Sequence, residues 1–144
     1  MNLINASEIA LIQASFRKIS RNGDEAASLF YTRLFEFDPQ LRSLARGDFA
    51  EQKREFIRLL GTIVHRLDCF ELVRDHLLEL ALCHPEVNEN DQHHHAIGAA
   101  LFWMFEQVLG RDFTAATYGA WMTIFRTLSN DLKVAAGREL AFAS

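Results

Sequence analysis

Apolar residues recur at helical spacing along most of this sequence. The first such stripe, with intervals of three and four residues, comprises Ile9, Ile12, Phe16 and Ile19. Only two prolines and seven glycines occur in 144 residues, so helix-breaking positions are few. No segment shows the sustained apolar–polar alternation of a half-buried strand. The pattern predicts a single all-α domain spanning residues 1–144, with about six or seven helices of unequal length.

Capping and turn residues predict where these helices begin and end. Asn5, followed by Glu8, forms a capping-box pattern at the first helix. A break is expected around Asn22-Gly23, and a short helical turn begins at Pro39. Further helices are predicted from about Asp48, over 68–84, and from Ile97 to Leu109, where Gly110 ends the helix. The last helix is predicted to begin at about Thr114. Its buried ridge would comprise Tyr118, Trp121, Phe125, Leu128 and Leu132.

Composition argues against several classes of partner. The net charge of −4 favours neither nucleic acid nor an anionic membrane surface. No apolar run approaches the roughly 20 residues of a membrane span, and no signal-peptide pattern opens the chain. Cys69 and Cys83 have no metal-binding spacing and are expected to be free thiols. A cytoplasmic protein, monomeric or homodimeric, is the expectation.

Three polar residues interrupt apolar helical faces. His84 continues the apolar face of its helix and precedes Pro85, while Tyr31 and Gln52 stand among phenylalanines. Each one alone is compatible with a core side chain bonded to a nearby backbone group, or, for Gln52, with a solvent-facing one. Together they are the kind of polar groups that line a ligand pocket in an apolar interior.

Longer segments resemble a known family. "LFYTRLFEFDPQLRSL", "EQKREF" and "HPEVNENDQHHHAIGAALFW" are similar to a bacterial single-domain globin, like the haem domain of flavohaemoglobins, and the similarity extends to about Leu132. It implies an all-α globin fold, a 3-over-3 helical sandwich around a haem pocket. The implied cofactor is haem b. Its iron would be ligated by His84, with Ala45, Phe49, Phe56, Leu80, Val87, Ile97 and Leu101 lining the pocket.

The resemblance also implies a function. Tyr31 and Gln52 fall on the distal side of a pentacoordinate haem, where both would stabilise dioxygen, carbon monoxide or nitric oxide by hydrogen bonding. Reversible oxygen binding is the leading expectation for the protein. Nitric oxide dioxygenase activity would require a separate reductase, since no flavin or nicotinamide domain is expected in this chain. The alternatives are a gas or redox sensor, or a haem-poor globin-like regulator, acting through a protein partner.

Several positions depart from the resemblance. Ala45 stands where globins carry a phenylalanine stacked on the haem, so either Phe49 fills that space or the haem is held more loosely. His94 replaces a proximal tyrosine, an alanine near Ala136 replaces a proximal glutamate, and Cys83 replaces a lysine. These changes weaken the prediction of efficient dioxygenase chemistry. His93-His94-His95 point in three directions on a helix, so a polar helix start is favoured over a zinc site.

Overall fold

The computed structural model describes residues 4–44, 49–67, 75 and 91–143. Five α-helices lie in these ranges: α1 (Ala6–Arg21), α2 (Gly23–Phe37), α3 (Phe49–His65), α4 (Asp91–Leu109) and α5 (Ala115–Ala143). Short 3-10 helices, Pro39–Leu44 and Gly110–Asp112, follow α2 and α4. No strand occurs within the described ranges, and the all-α prediction is confirmed. The helix predicted over 68–84 lies outside them, apart from Asp75.

The predicted helix ends are largely confirmed where they are described. At α1 the Asn5 side chain accepts from the Glu8 backbone N–H at 2.8 Å, and the Asn5 N–H donates to Glu8 Oε1 at 3.2 Å. At the other end of the fold, Gly110 adopts a φ of +52°, a left-handed conformation that favours glycine after a helix. Thr114 Oγ1 then accepts from the Thr117 N–H at 3.2 Å and caps α5.

Two features of the C-terminal half differ from the prediction. Helix α4 begins at Asp91 rather than Ile97. An acidic residue is favourable at the N-terminus of a helix. The turn that follows is polar and lacks apolar periodicity, so the sequence pattern did not reveal it. Helix α5, for which the sequence predicted a start but no end, continues to Ala143. Tyr118 was predicted to be buried, and this is wrong: it is 44% exposed. Its ring packs against Phe102 and Phe113, with centroids 5.3 and 5.9 Å away. A tyrosine can pack its ring in this way and still keep its hydroxyl in water, which explains the exposure.

Helix α2 packs against both α3 and α4, and α1 packs against α3 and α5. The interior between them buries large apolar side chains, among them Ile12, Ile19, Leu34, Met104, Phe105 and Leu109. One buried polar link joins α1 to α5: the Trp121 indole N–H donates to Ser15 Oγ at 2.8 Å, and that hydroxyl donates to the Ile12 carbonyl at 2.8 Å. Both buried polar groups are therefore satisfied, so their burial carries no unpaired-donor penalty.

No helix among the described residues has the length and apolar character to cross a bilayer.

The Phe125 ring of α5 approaches α4 closely at Gly98. A Cβ added there would stand 2.7 Å from Phe125 Cζ, far inside van der Waals contact. At Gly119, by contrast, an added Cβ meets nothing within 4 Å. The ring of Phe125 therefore occupies the space that a larger residue at position 98 would need.

Gly98→Ala should destabilise the fold by about 1–3 kcal/mol, because overpacking moves the Phe125 ring or separates the helices. Gly119→Ala is the matched control and should stabilise by about 0.5–1 kcal/mol, as expected of alanine in an open helical position. Urea unfolding measures both. Equal free energies of unfolding for the two variants would contradict the close approach.

Candidate functional site

The candidate site lies where one face of α2 meets the first turns of α3. Tyr31 projects from α2, and Phe49, Gln52 and Phe56 recur on α3 at intervals of three and four residues. All four side chains are partly buried. Helical spacing places Phe49, Gln52 and Phe56 on one face of α3, and the packing of α2 against α3 brings Tyr31 to them.

Aromatic rings surround Tyr31. Phe49 stands edge-on to it, with ring centroids 5.3 Å apart, and Phe56 does so at 5.7 Å. Phe30 and Phe35 lie at 5.1 and 5.9 Å, and Phe30 also stacks on Phe56 at 4.3 Å. We call Tyr31, Gln52 and these four phenylalanines the distal cluster. Edge-to-face and offset contacts at these separations are favourable and fix ring orientation.

Gln52 is the polar partner of Tyr31 within the distal cluster. A side-chain hydrogen bond joins the two, and it lowers the pKa of the phenol. Burial among the aromatic rings has the larger effect and raises the pKa of Tyr31 above its ordinary value of 10.0. Tyr31 therefore stays a neutral phenol at physiological pH.

The other predicted site residues are placed as follows. Ile97 is partly buried and Leu101 is 8% exposed, and both belong to the apolar interior on α4. Ala45, Leu80, Cys83, His84 and Val87 lie outside the described residues. The positions of His93, His94 and Ala136 fall within helices whose side chains there are not described, whereas His95 is exposed. The structure thus brings Tyr31, Phe49, Gln52 and Phe56 together, and their distal role, like the iron ligand, stays a prediction.

A groove between α2 and α4 is the alternative place for a ligand. It has a volume of about 160 Å³ and is lined by Asn22, Glu25, Leu29, Gln107 and Val108. It shares no residue with the distal cluster. A carboxylate and two amides suit a flat apolar cofactor poorly, so the distal cluster is the better candidate.

Two contributions to the site were missed at the level of sequence. Phe30 and Phe35 complete the ring of aromatic side chains around Tyr31. Their helical spacing predicted burial but did not indicate which residues they would contact. Lys53, next to Gln52, contacts Phe49 through its ammonium group, 5.7 Å from the ring centroid. A lysine in an amphipathic helix ordinarily faces solvent, so its position gave no local signal.

The raised pKa of Tyr31 predicts a specific loss of stability in alkali. Below the ordinary pKa the phenol is neutral in both folded and unfolded chains; above it, the unfolded chain releases the proton first. The free energy of unfolding should therefore fall as pH rises from about 10 through the raised pKa, by at most about 1.4 kcal/mol per pH unit. The Tyr31→Phe variant should lack this alkaline fall in the free energy of unfolding, which urea unfolding at a series of pH values measures.

Tyr118→Phe is the matched control, because it removes the same hydroxyl from an exposed position. It should retain the pH dependence of the unsubstituted protein. A Tyr31→Phe variant with the same alkaline slope as Tyr118→Phe would show that the Tyr31 phenol is not buried.

Similarity to known proteins extends over nearly the whole chain. The chain is 26% identical to the neuroglobin of Danio rerio, 25% to that of Chaenocephalus aceratus and 24% to neuroglobin-1 of Oncorhynchus mykiss, each over 139 residues and 87% of both chains. No family model matches the chain. The shared length and the helical architecture confirm the predicted globin fold and support a globin family for this chain.

Proposed function

We propose that this chain is a haem-binding globin that reversibly binds dioxygen, and also carbon monoxide and nitric oxide, with His84 as the proximal ligand. The likeness to neuroglobins supports haem and gas binding at the level of the family. The observation that carries the proposal for this chain is the hydrogen-bonded pair of Tyr31 and Gln52 among phenylalanine rings.

The described residues fit a haem. A porphyrin is a flat, largely apolar ring, and such a ligand requires apolar walls with a few oriented polar groups. Phe49 and Phe56 provide aromatic walls beside Tyr31, and Ile97 and Leu101 add aliphatic surface on α4. Ala45, Leu80 and Val87 are proposed to complete these walls. When bound, haem b would supply an iron with one coordination position for a diatomic gas.

Tyr31 and Gln52 would act on that gas as a neutral pair. Burial keeps the phenol protonated across the physiological pH range, and we propose that its O–H donates to the bound gas while Gln52 orients it. A donor aimed at a ligand that acquires negative charge slows its release. The surrounding rings reduce the access of water to the pair, which strengthens this hydrogen bond.

Oxidation of nitric oxide to nitrate by the held dioxygen is the enzymatic extension of this proposal. It would consume one electron per turnover, delivered by a separate reductase. The proximal departures at His94 and near Ala136 make reversible binding the primary function that we propose. The bacterial flavohaemoglobin resemblance and the cytoplasmic location stay predictions.

Haem uptake tests the proposal directly. The full chain titrated with haemin should develop a Soret band that saturates at about one haem per chain, as expected of a single proximal ligand. His84→Ala should weaken haem affinity by at least about tenfold, or 1.4 kcal/mol, because the iron loses its protein ligand. A protein without spectral change on addition of haemin would contradict the proposed function.

His65→Ala is the control for a general effect of removing an imidazole. His65 is exposed at the end of α3, so the variant should bind haem like the unsubstituted chain. If His65→Ala and His84→Ala bound haem equally well, His84 would not be the proximal ligand.

A further inference from the structure

Lys53 connects α3 to α2 through two contacts, and it makes a third contact within α3. Its Nζ lies 3.0 Å from Asp24 Oδ1 and donates to Ser28 Oγ at 3.1 Å. The same ammonium stands 5.7 Å from the centroid of the Phe49 ring, within the range of a cation–π contact. Only 16% of the Lys53 side chain is exposed, whereas Asp24 is 81% exposed.

The partners of Lys53 lead along α2 to Tyr31. Asp24, Ser28 and Tyr31 are separated by four and then three residues, so they occupy one face of the helix. On α3, Lys53 directly follows Gln52, and Phe49 lies one turn earlier. Lys53 therefore contacts the two turns of α2 that precede Tyr31, while its neighbours on α3 contact Tyr31 itself.

The ion pair has little to contribute to overall stability. Pairs with an exposed partner are typically worth about 0–1 kcal/mol, because water screens the charges. Yet a largely buried ammonium requires polar partners, and here both lie on α2. The consequence is geometric: Lys53 restricts where the first turns of α3 can sit on α2.

We propose that Lys53 is a positioning residue for the distal cluster. Its ammonium group holds α3 against α2 through Asp24 and Ser28, and thereby keeps Phe49 and Gln52 in contact with Tyr31. The importance of this arrangement for gas binding rests on the proposed function. The arrangement itself is a property of the chain without haem, so it can be tested separately.

The two tyrosines of the chain allow a selective measurement. In full-length protein labelled with 3-fluorotyrosine, Tyr118→Phe leaves Tyr31 as the single source of a fluorine NMR signal. The difference in its chemical shift between H₂O and D₂O reports the access of water to the ring. All variants are compared in this background at neutral pH, where the tyrosine is protonated.

Lys53→Met should increase the solvent-isotope shift of the Tyr31 signal by about twofold, as expected when a local contact opens. Lys53→Arg keeps the charge and the donors and should restore the original value. Asp24→Asn leaves Lys53 in place, weakens the ion pair and should move the signal in the same direction as Lys53→Met. This third variant keeps the test decisive if Lys53→Met does not fold.

Lys18→Met is the matched control. Lys18, on α1, pairs with Asp112 at 2.8 Å and donates to the Leu109 carbonyl at 3.3 Å, and neither partner belongs to the distal cluster. Its loss removes a comparable ion pair without touching the distal cluster, so the Tyr31 signal should not move. An unchanged Tyr31 signal in both Lys53→Met and Asp24→Asn would overturn the positioning role.

Failure of this inference and failure of the proposed function give different results. If haemin does not bind, the proposed function is wrong, while the fluorine signal still tests the role of Lys53. If haemin binds and the Tyr31 signal ignores Lys53→Met and Asp24→Asn, the globin function stands and the positioning role is refuted.

Discussion

The hydrogen bond between Tyr31 and Gln52 crosses from α2 to α3 inside a ring of phenylalanines. Leaving a buried amide or hydroxyl unbonded costs about 1–3 kcal/mol, so each side chain makes the burial of the other tolerable. The contact holds the two helices in a defined relation at this point, and burial among the aromatic rings keeps the phenol neutral.

The other described helices hold α2, which carries Tyr31, in position. Helix α2 packs on α3 at one side and on α4 at the other. Helix α4 is in turn seated on α5 at Gly98, where Phe125 occupies the space of the missing side chain. The Trp121–Ser15 hydrogen bond ties α5 to α1. Tyr31 is therefore positioned by a continuous set of helix contacts that begins well away from it.

Local patterns in the sequence predicted local structure well. The Asn5–Glu8 capping box and the end of α4 at Gly110 depend on residues a few positions apart, and both are present. Tyr31 and Gln52 were singled out because polar side chains on apolar helical faces need partners, and the resemblance to globins implied their place in the site. That they partner each other could not be read from spacing, since the contact joins two helices.

Predictions that depended on tertiary contacts were less successful. Tyr118 has the spacing of a buried residue, but it lies at the edge of the α5 stripe and is 44% exposed. Lys53 was overlooked because lysines in amphipathic helices usually face solvent. The relevant signal was on another helix: Asp24 and Ser28 share a face of α2 with Tyr31 and offer a carboxylate and a hydroxyl to one cation.

A double-mutant cycle on oxygen release tests the central claim, that Tyr31 and Gln52 act as one unit on the ligand. Dissociation rates are compared for the haem-loaded protein, Tyr31→Phe, Gln52→Leu and the double variant. Tyr31→Phe should raise the rate by about tenfold, or 1.4 kcal/mol, and the two substitutions should be non-additive by at least about 0.5 kcal/mol. An unchanged rate in Tyr31→Phe, or strictly multiplicative effects, would contradict the account.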